Sequence, residues 1–138
     1  MLQFMKLSII IPTKDRPEKI KGLLNILIKN KYFFNEILII DSSNKKNKGK
    51  LKINLKKIDL KIRLFNSKAS IAYQRNIGIK KMNKNNNFYM LLDDDISFEK
   101  NAFKNMKKFI DKNKMYLAYS FNLIENEKKS IFENIKKS

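Results

Sequence analysis

The sequence predicts an α/β fold with a mainly parallel central sheet. Short β-branched runs such as KLSIIIP and NEILIID alternate with longer segments whose apolar residues recur at helical spacing. This alternation is typical of parallel sheets, because a helix usually forms each crossover between neighbouring strands. A chain of 138 residues, 43% of them hydrophobic, suits one compact domain. We therefore expect a single domain over 1–138, with a core at about 7–122 and a basic helical tail at 123–138.

The first run, at 6–12, predicts a buried strand bounded by Pro12. The segment after it predicts a helix. Asp15 and Glu18 have the spacing of a capping box, and Pro17 suits a first helical turn. The apolar residues of this helix fall on one stripe: Ile20, Leu23, Leu24, Leu27 and Ile28.

The middle of the chain predicts two further strands and a second helix. The strand EILIID ends at Asp41, and KIRLFN is the third strand; the region 42–60 before it predicts a basic loop with a short helix. The second helix is SKASIAYQRNIGIKKM, within which Gly78 is unfavourable by about 1 kcal/mol relative to alanine. Close approach of another backbone would explain that glycine, and so would simple tolerance of glycine in the helix. One side of this helix carries the residues predicted to face inward: Ile71, Ala72, Arg75, Ile79 and Met82.

The fourth strand, FYMLL, runs into three consecutive aspartates, Asp93–Asp95. After it, SFEKNAFKNMKKFI predicts a third amphipathic helix. MYLAYSFN predicts a fifth strand, and the Lys-rich tail a last helix. The third helix is predicted to bury a largely aromatic set: Phe98, Ala102, Phe103, Met106, Phe109 and Ile110.

The chain contains neither cysteine nor histidine. This composition excludes disulfides, thiolate nucleophiles and metal sites built on Cys or His ligands. Any metal site must therefore use oxygen ligands, which favours Mg²⁺, Mn²⁺ or Ca²⁺ over Zn²⁺. Any general base must be Asp, Glu, Lys or Tyr.

The net charge of +18 has two interpretations. One is attraction to phosphates, including those of an anionic membrane surface. The other is a compositional bias towards Lys, Asn and Ile. The positive charge is spread along the whole chain rather than forming an arm or an Arg-rich block, which makes nucleic acid an unlikely partner. The N-terminus does not resemble a signal peptide, and no apolar run is long enough to cross a bilayer. We therefore expect a cytoplasmic protein, including a peripheral location at the inner face of the membrane.

Polar clusters follow three of the predicted strands: PTKDR the first, DSSN the second and DDD the fourth. In an open parallel sheet, ligands bind outside the carboxyl ends of the strands. We therefore predict that these three strands are parallel neighbours and that Pro12, Asp41 and Asp93 lie at one edge of the sheet.

The aspartate run suggests a metal site. In an extended chain Asp93 and Asp95 point to the same side, where two carboxylates can hold a divalent cation that bridges nucleotide phosphates. The alternative is an acidic turn that caps a helix starting near Ser97, since a helix N-terminus favours negative charge.

Two further residues have both a functional and a structural interpretation. Asp41 can accept hydrogen bonds from a base or a ribose, or it can close its strand with an Asx-turn. Arg75 can pair with the acidic cluster, or its aliphatic stem can lie along the surface with the guanidinium in water.

Taken in order, IIIPTKDRPEKIKGLLNIL, EILIIDSSN, ASIAYQRNIGI and FYMLLDDDI resemble the nucleotide-binding, N-terminal half of the family 2 glycosyltransferases, over residues 7–112. The resemblance implies the GT-A fold, a Rossmann-like three-layer sandwich, and a nucleotide-diphosphate sugar donor such as a UDP-sugar. It also implies Mn²⁺ or Mg²⁺ held by Asp93 and Asp95, and transfer with inversion to a glycan, lipid or protein acceptor. The residues implied to bind the nucleotide sugar are Pro12, Thr13, Arg16, Asp41, Ser43, Arg75, Asn76, Asp93 and Asp94.

The sequence departs from the family pattern at three points. Ser42 stands where a second aspartate is common, and Gln74 replaces a small residue. The family's catalytic base and acceptor-binding elements follow the aspartates, and this chain shows no motif for them. Its late acidic residues include Glu125 and Glu127, in a Lys-rich segment. We therefore expect a truncated domain that is weakly active alone, with a non-catalytic nucleotide-sugar-binding module as the alternative.

Overall fold

The computed structural model describes residues 5–51 and 59–121. The chain divides into two compact units, Met1–Lys108 and Phe109–Ser138. No helix in the described ranges is long and apolar enough to cross a membrane. In chain order the elements are β1 (Leu7–Thr13), α1 (Pro17–Lys29), a 3₁₀ helix (Lys31–Phe33), β2 (Glu36–Asp41), β3 (Lys61–Asn66), α2 (Ile71–Lys81), β4 (Phe88–Leu91) and α3 (Ala102–Lys112).

The four strands form one parallel sheet in the order β3-β2-β1-β4. The register places Thr13 beside Asp41, and Ile10 beside Leu91. Just beyond β4, the Leu92 N–H donates to the Ile10 carbonyl at 3.0 Å, so Asp93 follows directly at the carboxyl edge. The predicted α/β class is confirmed, and so is the location of Pro12, Asp41 and Asp93 at one edge of the sheet.

The core lies on both faces of the central strands. β1 and β2 are buried along their whole length, as expected for parallel strands covered on two sides. On one face Ile10, Leu38 and Ile40 form a cluster against which the partly buried Ile77 and Ile79 pack. The alternate residues of the same strands, which face the other side of the sheet, are also fully buried: Ile9, Ile11, Ile37 and Ile39. Helix α1 buries four of the five residues predicted for its stripe, while Ile28 is only partly buried.

The inner side of α2 differs from the prediction. Its buried residues are Gln74 and Gly78, whereas Ile71 is largely exposed. The Gln74 side-chain amide is satisfied because its nitrogen donates to the carbonyls of Thr13 (3.0 Å) and Ile40 (2.7 Å). Ile79 and Met82 pack against the core as predicted, but the helical pattern missed Gln74, because a polar residue with hydrogen-bond partners can occupy a buried position.

The start of α1 also differs from the prediction. Asp15 has a left-handed backbone (φ 55°), and no side chain caps the helix, which begins at Pro17 after Arg16. The capping-box prediction was wrong because the Asp15 carboxylate accepts hydrogen bonds from Asn44 and Asn47 instead of from the helix N-terminus.

Helix α3 begins at Ala102, later than the predicted start near Ser97. Asn101 has a positive φ of 65°, and a right-handed helix cannot continue through a left-handed residue. Phe103 is buried and its ring contacts those of Phe33, Phe34 and Phe98. Phe109, predicted to be buried, is half exposed.

The fifth strand predicted at 115–122 is absent from its described part, 115–121, which is turn and irregular chain. The alternating apolar residues there, such as Met115 and Leu117, are exposed. An alternating pattern forms a strand only where a neighbouring strand supplies hydrogen-bond partners.

The described part of the 42–60 region is loop and turn, as predicted. The rest of that region, at 52–58, lies outside the described residues, and so does the helix predicted for the tail.

Candidate functional site

A cleft of about 610 Å³ opens at the carboxyl edge of the sheet, where the strand order reverses between β1 and β4. The loop after β1, Ser42, the start of α2 and the three aspartates after β4 line this cleft. A neighbouring cavity of about 10 Å³ shares Thr13 and Arg16 with the cleft and reaches Asp41 and Ser43. The edge predicted from the sequence is therefore a concave surface with polar walls.

Asp94 joins the ends of β1 and β4. Its side chain is only 8% exposed. One carboxylate oxygen accepts from Thr13 Oγ1 at 2.7 Å, and the other accepts from the Arg16 guanidinium at 3.0 Å. With both oxygens engaged inside the protein, this carboxylate fixes the wall of the cleft.

Asp93 and Asp95 differ from Asp94 in exposure and partners. Their side chains are 58% and 53% exposed, respectively. Arg75 donates to Asp93 at 3.1 Å, and Arg16 reaches Asp95 at 3.4 Å. Asp95 lies in a turn rather than in the extended chain assumed for the sequence prediction. The alternative of a helix cap is excluded, because α3 does not start until Ala102.

Asp41 closes β2 with an Asx-turn. One of its carboxylate oxygens, Oδ1, accepts from the backbone N–H of Ser43 at 2.9 Å and from the Ser43 hydroxyl at 2.5 Å. Asp41 is buried and lines the smaller cavity. Asp41 therefore forms the Asx-turn that was one of its two interpretations. Its second carboxylate oxygen takes no part in that turn.

Asp15 ties the loop after β1 to the loop after β2. Its backbone N–H donates to Ser43 Oγ at 2.8 Å, and its carboxylate accepts from the Asn47 side chain and the Asn44 backbone, each at 3.0 Å. These hydrogen bonds hold the pKa of Asp15 below its ordinary value. The Asn47 amide has the larger effect and the Asn44 N–H the smaller one. The two loops that wall the smaller cavity are thus linked by polar contacts.

Most of the residues predicted for the site come together here. Pro12, Thr13, Arg16, Arg75 and the three aspartates line the cleft, and Asp41 and Ser43 line the adjoining cavity. Asn76 is exposed and is not among the lining residues of either.

Lining residues that were not predicted include Lys14, Gln74 and the segment 69–71. The segment 69–71 follows β3, so the same rule about strand ends would have indicated it.

The exposed carboxylates of Asp93 and Asp95 have the hard oxygen donors that Mg²⁺ and Mn²⁺ prefer. Within the described ranges, no group of three or more acidic side chains is arranged around one metal position. Mg²⁺ is commonly held by one or two carboxylates together with substrate phosphates. The donor set therefore fits a metal that is completed by a bound diphosphate, rather than a metal enclosed by protein ligands alone.

The chain is similar to known proteins in sequence and in structure. The family model described as Glycosyl transferase family 2 matches residues 8–136. An uncharacterized glycosyltransferase of Rickettsia conorii is 31% identical over 137 residues, which is 98% of this chain and 22% of that protein. The crystal structure of S. aureus TarS 1–349 aligns with a TM-score of 0.60 at 25% identity, covering 80% of this chain and 33% of that one.

A second TarS 1–349 structure, in complex with UDP-GlcNAc, has a TM-score of 0.58 at 26% identity, covering 80% of this chain and 32% of that one. The chain thus spans well under half of each relative. The four-stranded parallel sheet with its helices is the α/β architecture of the GT-A glycosyltransferases, as the sequence predicted. The matched family model and the shared architecture show that the chain belongs to glycosyl transferase family 2.

Proposed function

We propose that the cleft binds a nucleotide-diphosphate sugar, specifically a UDP-sugar, and that the sugar is transferred with inversion to an acceptor hydroxyl. The observation that carries this proposal is the convergence of three strand-end clusters on one cleft beside two exposed carboxylates and two arginines. The UDP-GlcNAc complex of TarS, at 26% identity over 80% of this chain, supports the choice of donor.

The proposed roles follow from position. The nucleoside lies in the large cleft against Thr13, and Asp41 and Ser43 line the small cavity that adjoins this wall. The guanidiniums of Arg16 and Arg75 face the diphosphate, since planar forks of N–H donors match phosphate oxygens. Asp93 and Asp95 would hold Mg²⁺ or Mn²⁺, which when bound would stabilise the charge of the departing diphosphate.

The acceptor side needs a base that removes the hydroxyl proton. In the described part of the chain, the acidic residues that line the cleft are Asp93, Asp94 and Asp95. Since two of these are assigned to the metal and the third is buried, we propose that the base comes from outside the described ranges. The same observation favours a second candidate, a module that binds the nucleotide sugar without turnover. Sugar transfer to an acceptor would decide for the first candidate, and tight donor binding without transfer would decide for the second.

UDP should bind more tightly in the presence of Mn²⁺ or Mg²⁺ than in the presence of EDTA. Asp95→Asn should remove most of that difference, because the amide has no charge with which to hold the metal. We expect a loss of at least about tenfold in UDP affinity with Mn²⁺, since even groups that only orient metal ligands are worth about 10–100-fold. Isothermal titration calorimetry with UDP, GDP and dTDP would measure both the metal dependence and the nucleotide preference.

The matched control is Asp59→Asn, which removes the same charge from a fully exposed carboxylate that pairs with Lys31, away from the cleft. This control should bind UDP as the wild type does. Equal UDP affinity with Mn²⁺ and with EDTA in the wild type would remove the metal role from the aspartates.

A further inference from the structure

Each carboxylate assigned to the metal has an arginine partner. The Nη1 atom of Arg16 lies 3.0 Å from Asp94 and 3.4 Å from Asp95, and Nη2 of Arg75 lies 3.1 Å from Asp93. Three successive aspartates would otherwise repel one another, so the two guanidiniums neutralise most of the charge of this acidic turn. One oxygen of each exposed carboxylate, Oδ1 of Asp93 and Oδ2 of Asp95, is thus already engaged by a guanidinium of the protein.

The contacts of Arg16 differ in how firmly they are held. Asp94 is 8% exposed and is fixed by Thr13 as well, so its pair with Arg16 is an anchor. The contact with Asp95 is longer, and both side chains are more than half exposed, at 54% and 53%. Arg16 can therefore release Asp95 while it remains attached to Asp94, because exposed ion pairs are weak.

Among the described residues, the guanidinium of Arg75 has one hydrogen-bond partner, Asp93. Its Nη2 donates to Asp93, but its buried Nε has no hydrogen-bond partner among the described residues. A bidentate pair would use both of these donors, as arginine does with carboxylates and phosphates. The Arg75–Asp93 pair is therefore weaker than a bidentate pair would be. The Arg75 side chain lines the cleft and is 36% exposed.

From these contacts we propose that Arg16 and Arg75 keep the metal affinity of the acidic turn low until a nucleoside diphosphate binds. The inference rests on the proposed function for the identity of that ligand. The negative diphosphate draws the guanidiniums away from Asp93 and Asp95, which frees the engaged oxygen of each carboxylate for the cation and removes a neighbouring positive charge. Metal and nucleotide then bind cooperatively, and each raises the affinity for the other by the same factor.

The test measures Mn²⁺ binding without nucleotide, from the electron paramagnetic resonance signal of the free ion. Arg75→Gln and Arg16→Gln should each bind Mn²⁺ about two- to tenfold more tightly than the wild type, because a positive charge beside a ligand oxygen is removed. Lys14→Gln is the matched control. Lys14 lines the same cleft, but no ion pair joins it to the three aspartates in the described ranges. Its effect on Mn²⁺ binding should be smaller.

Mn²⁺ affinity no tighter in the arginine variants than in Lys14→Gln would overturn the inference, even if UDP binds normally. Arg16→Gln removes the partner of the buried Asp94, and if that variant fails to fold, the test rests on Arg75→Gln alone. Arg75 pairs with the exposed Asp93, so its loss leaves no buried charge without a partner. Adding UDP should then raise Mn²⁺ affinity more in the wild type than in Arg75→Gln, and an equal gain would also overturn the inference. Failure of UDP to bind the wild type would instead count against the proposed function, while the nucleotide-free comparison still decides the effect of the arginines.

Discussion

Replacement of Glu36 by alanine should lower the free energy of unfolding by about 3 kcal/mol. Glu36 is 1% exposed at the start of β2, at the end of the sheet opposite the cleft. Its carboxylate accepts from Ser8 Oγ at 2.8 Å, from the Asn83 N–H at 2.6 Å and from Arg63 at 2.9 Å. The alanine variant would leave these donors without their acceptor, and Arg63 without its counter-charge. Urea-induced unfolding followed by circular dichroism would measure the loss.

The control for this prediction is Glu18→Ala. Glu18 is exposed in the first turn of α1 and pairs with the exposed Lys21, so the change should be worth less than about 1 kcal/mol. Equal losses in the two variants would show that the contacts of Glu36 do not stabilise the fold. UDP binding should survive Glu36→Ala wherever the protein is folded, because the residue is remote from the cleft.

The contribution of Glu36 to the free energy of unfolding should also depend on pH. Burial alone would raise the pKa of Glu36, but the hydrogen bonds from Asn83 and Ser8 and the charge of Arg63 together hold the pKa below its ordinary value. A glutamate with a depressed pKa in the folded state stabilises the protein above its unfolded pKa of about 4.3. That stabilisation is lost as the pH falls through the folded pKa. The stability difference between wild type and Glu36→Gln should therefore be constant from about pH 7 to pH 5 and shrink in more acidic buffers.

Gly78→Ala should destabilise the protein by about 2–3 kcal/mol, although alanine is the better helix former. A Cβ at position 78 would lie 2.3 Å from Cγ2 of Ile10, a fully buried side chain in the middle of β1. Helix α2 would have to move away from the sheet, or Ile10 would have to leave its rotamer. Thermal unfolding would report the change as a lower melting temperature.

Gly22 provides the opposite control within the same chain. It lies on the exposed side of α1, and a Cβ there would meet nothing within 4 Å. Gly22→Ala should therefore stabilise the protein by about 0.5–1 kcal/mol through helix propensity alone. If the two substitutions shift stability in the same direction, close packing of α2 on β1 is not the reason for Gly78.

The sequence was sufficient to predict the strands and the location of the site, because these depend on simple local patterns and on the order of elements along the chain. The β-branched runs around Ile10 and Ile39 predict buried strands, and the rule for parallel sheets then places Pro12, Asp41 and Asp93 together. Those predictions need only the order of elements along the chain. The confirmed edge of the sheet is therefore independent of any detail of side-chain packing.

The errors arose where a residue acts through a partner that is distant in sequence. Gln74 is buried because two carbonyls at the strand ends accept from it, and Asp15 binds the loop after β2 instead of its own helix. Asn101 stops α3 from starting earlier through a left-handed backbone, which asparagine adopts more readily than most residues but which its sequence context did not indicate. Helical periodicity contains no information about such contacts, so the pattern favoured Ile71 over Gln74.

The pairing of β1 with both β2 and β4 has a consequence for the newly made chain. Among the described strands, β1 is synthesised before β2, β3 and β4, yet Leu7 pairs with Phe88 and Ile10 with Leu91. One edge of this strand, with three consecutive isoleucines at 9–11, stays without its β4 partner until α1, β2, β3 and α2 have been synthesised. Unpaired apolar edges associate with other chains. Pairings between segments so distant in sequence also form slowly. The nascent chain should therefore depend on holding chaperones until β4 emerges, and overexpression that saturates them should yield aggregates.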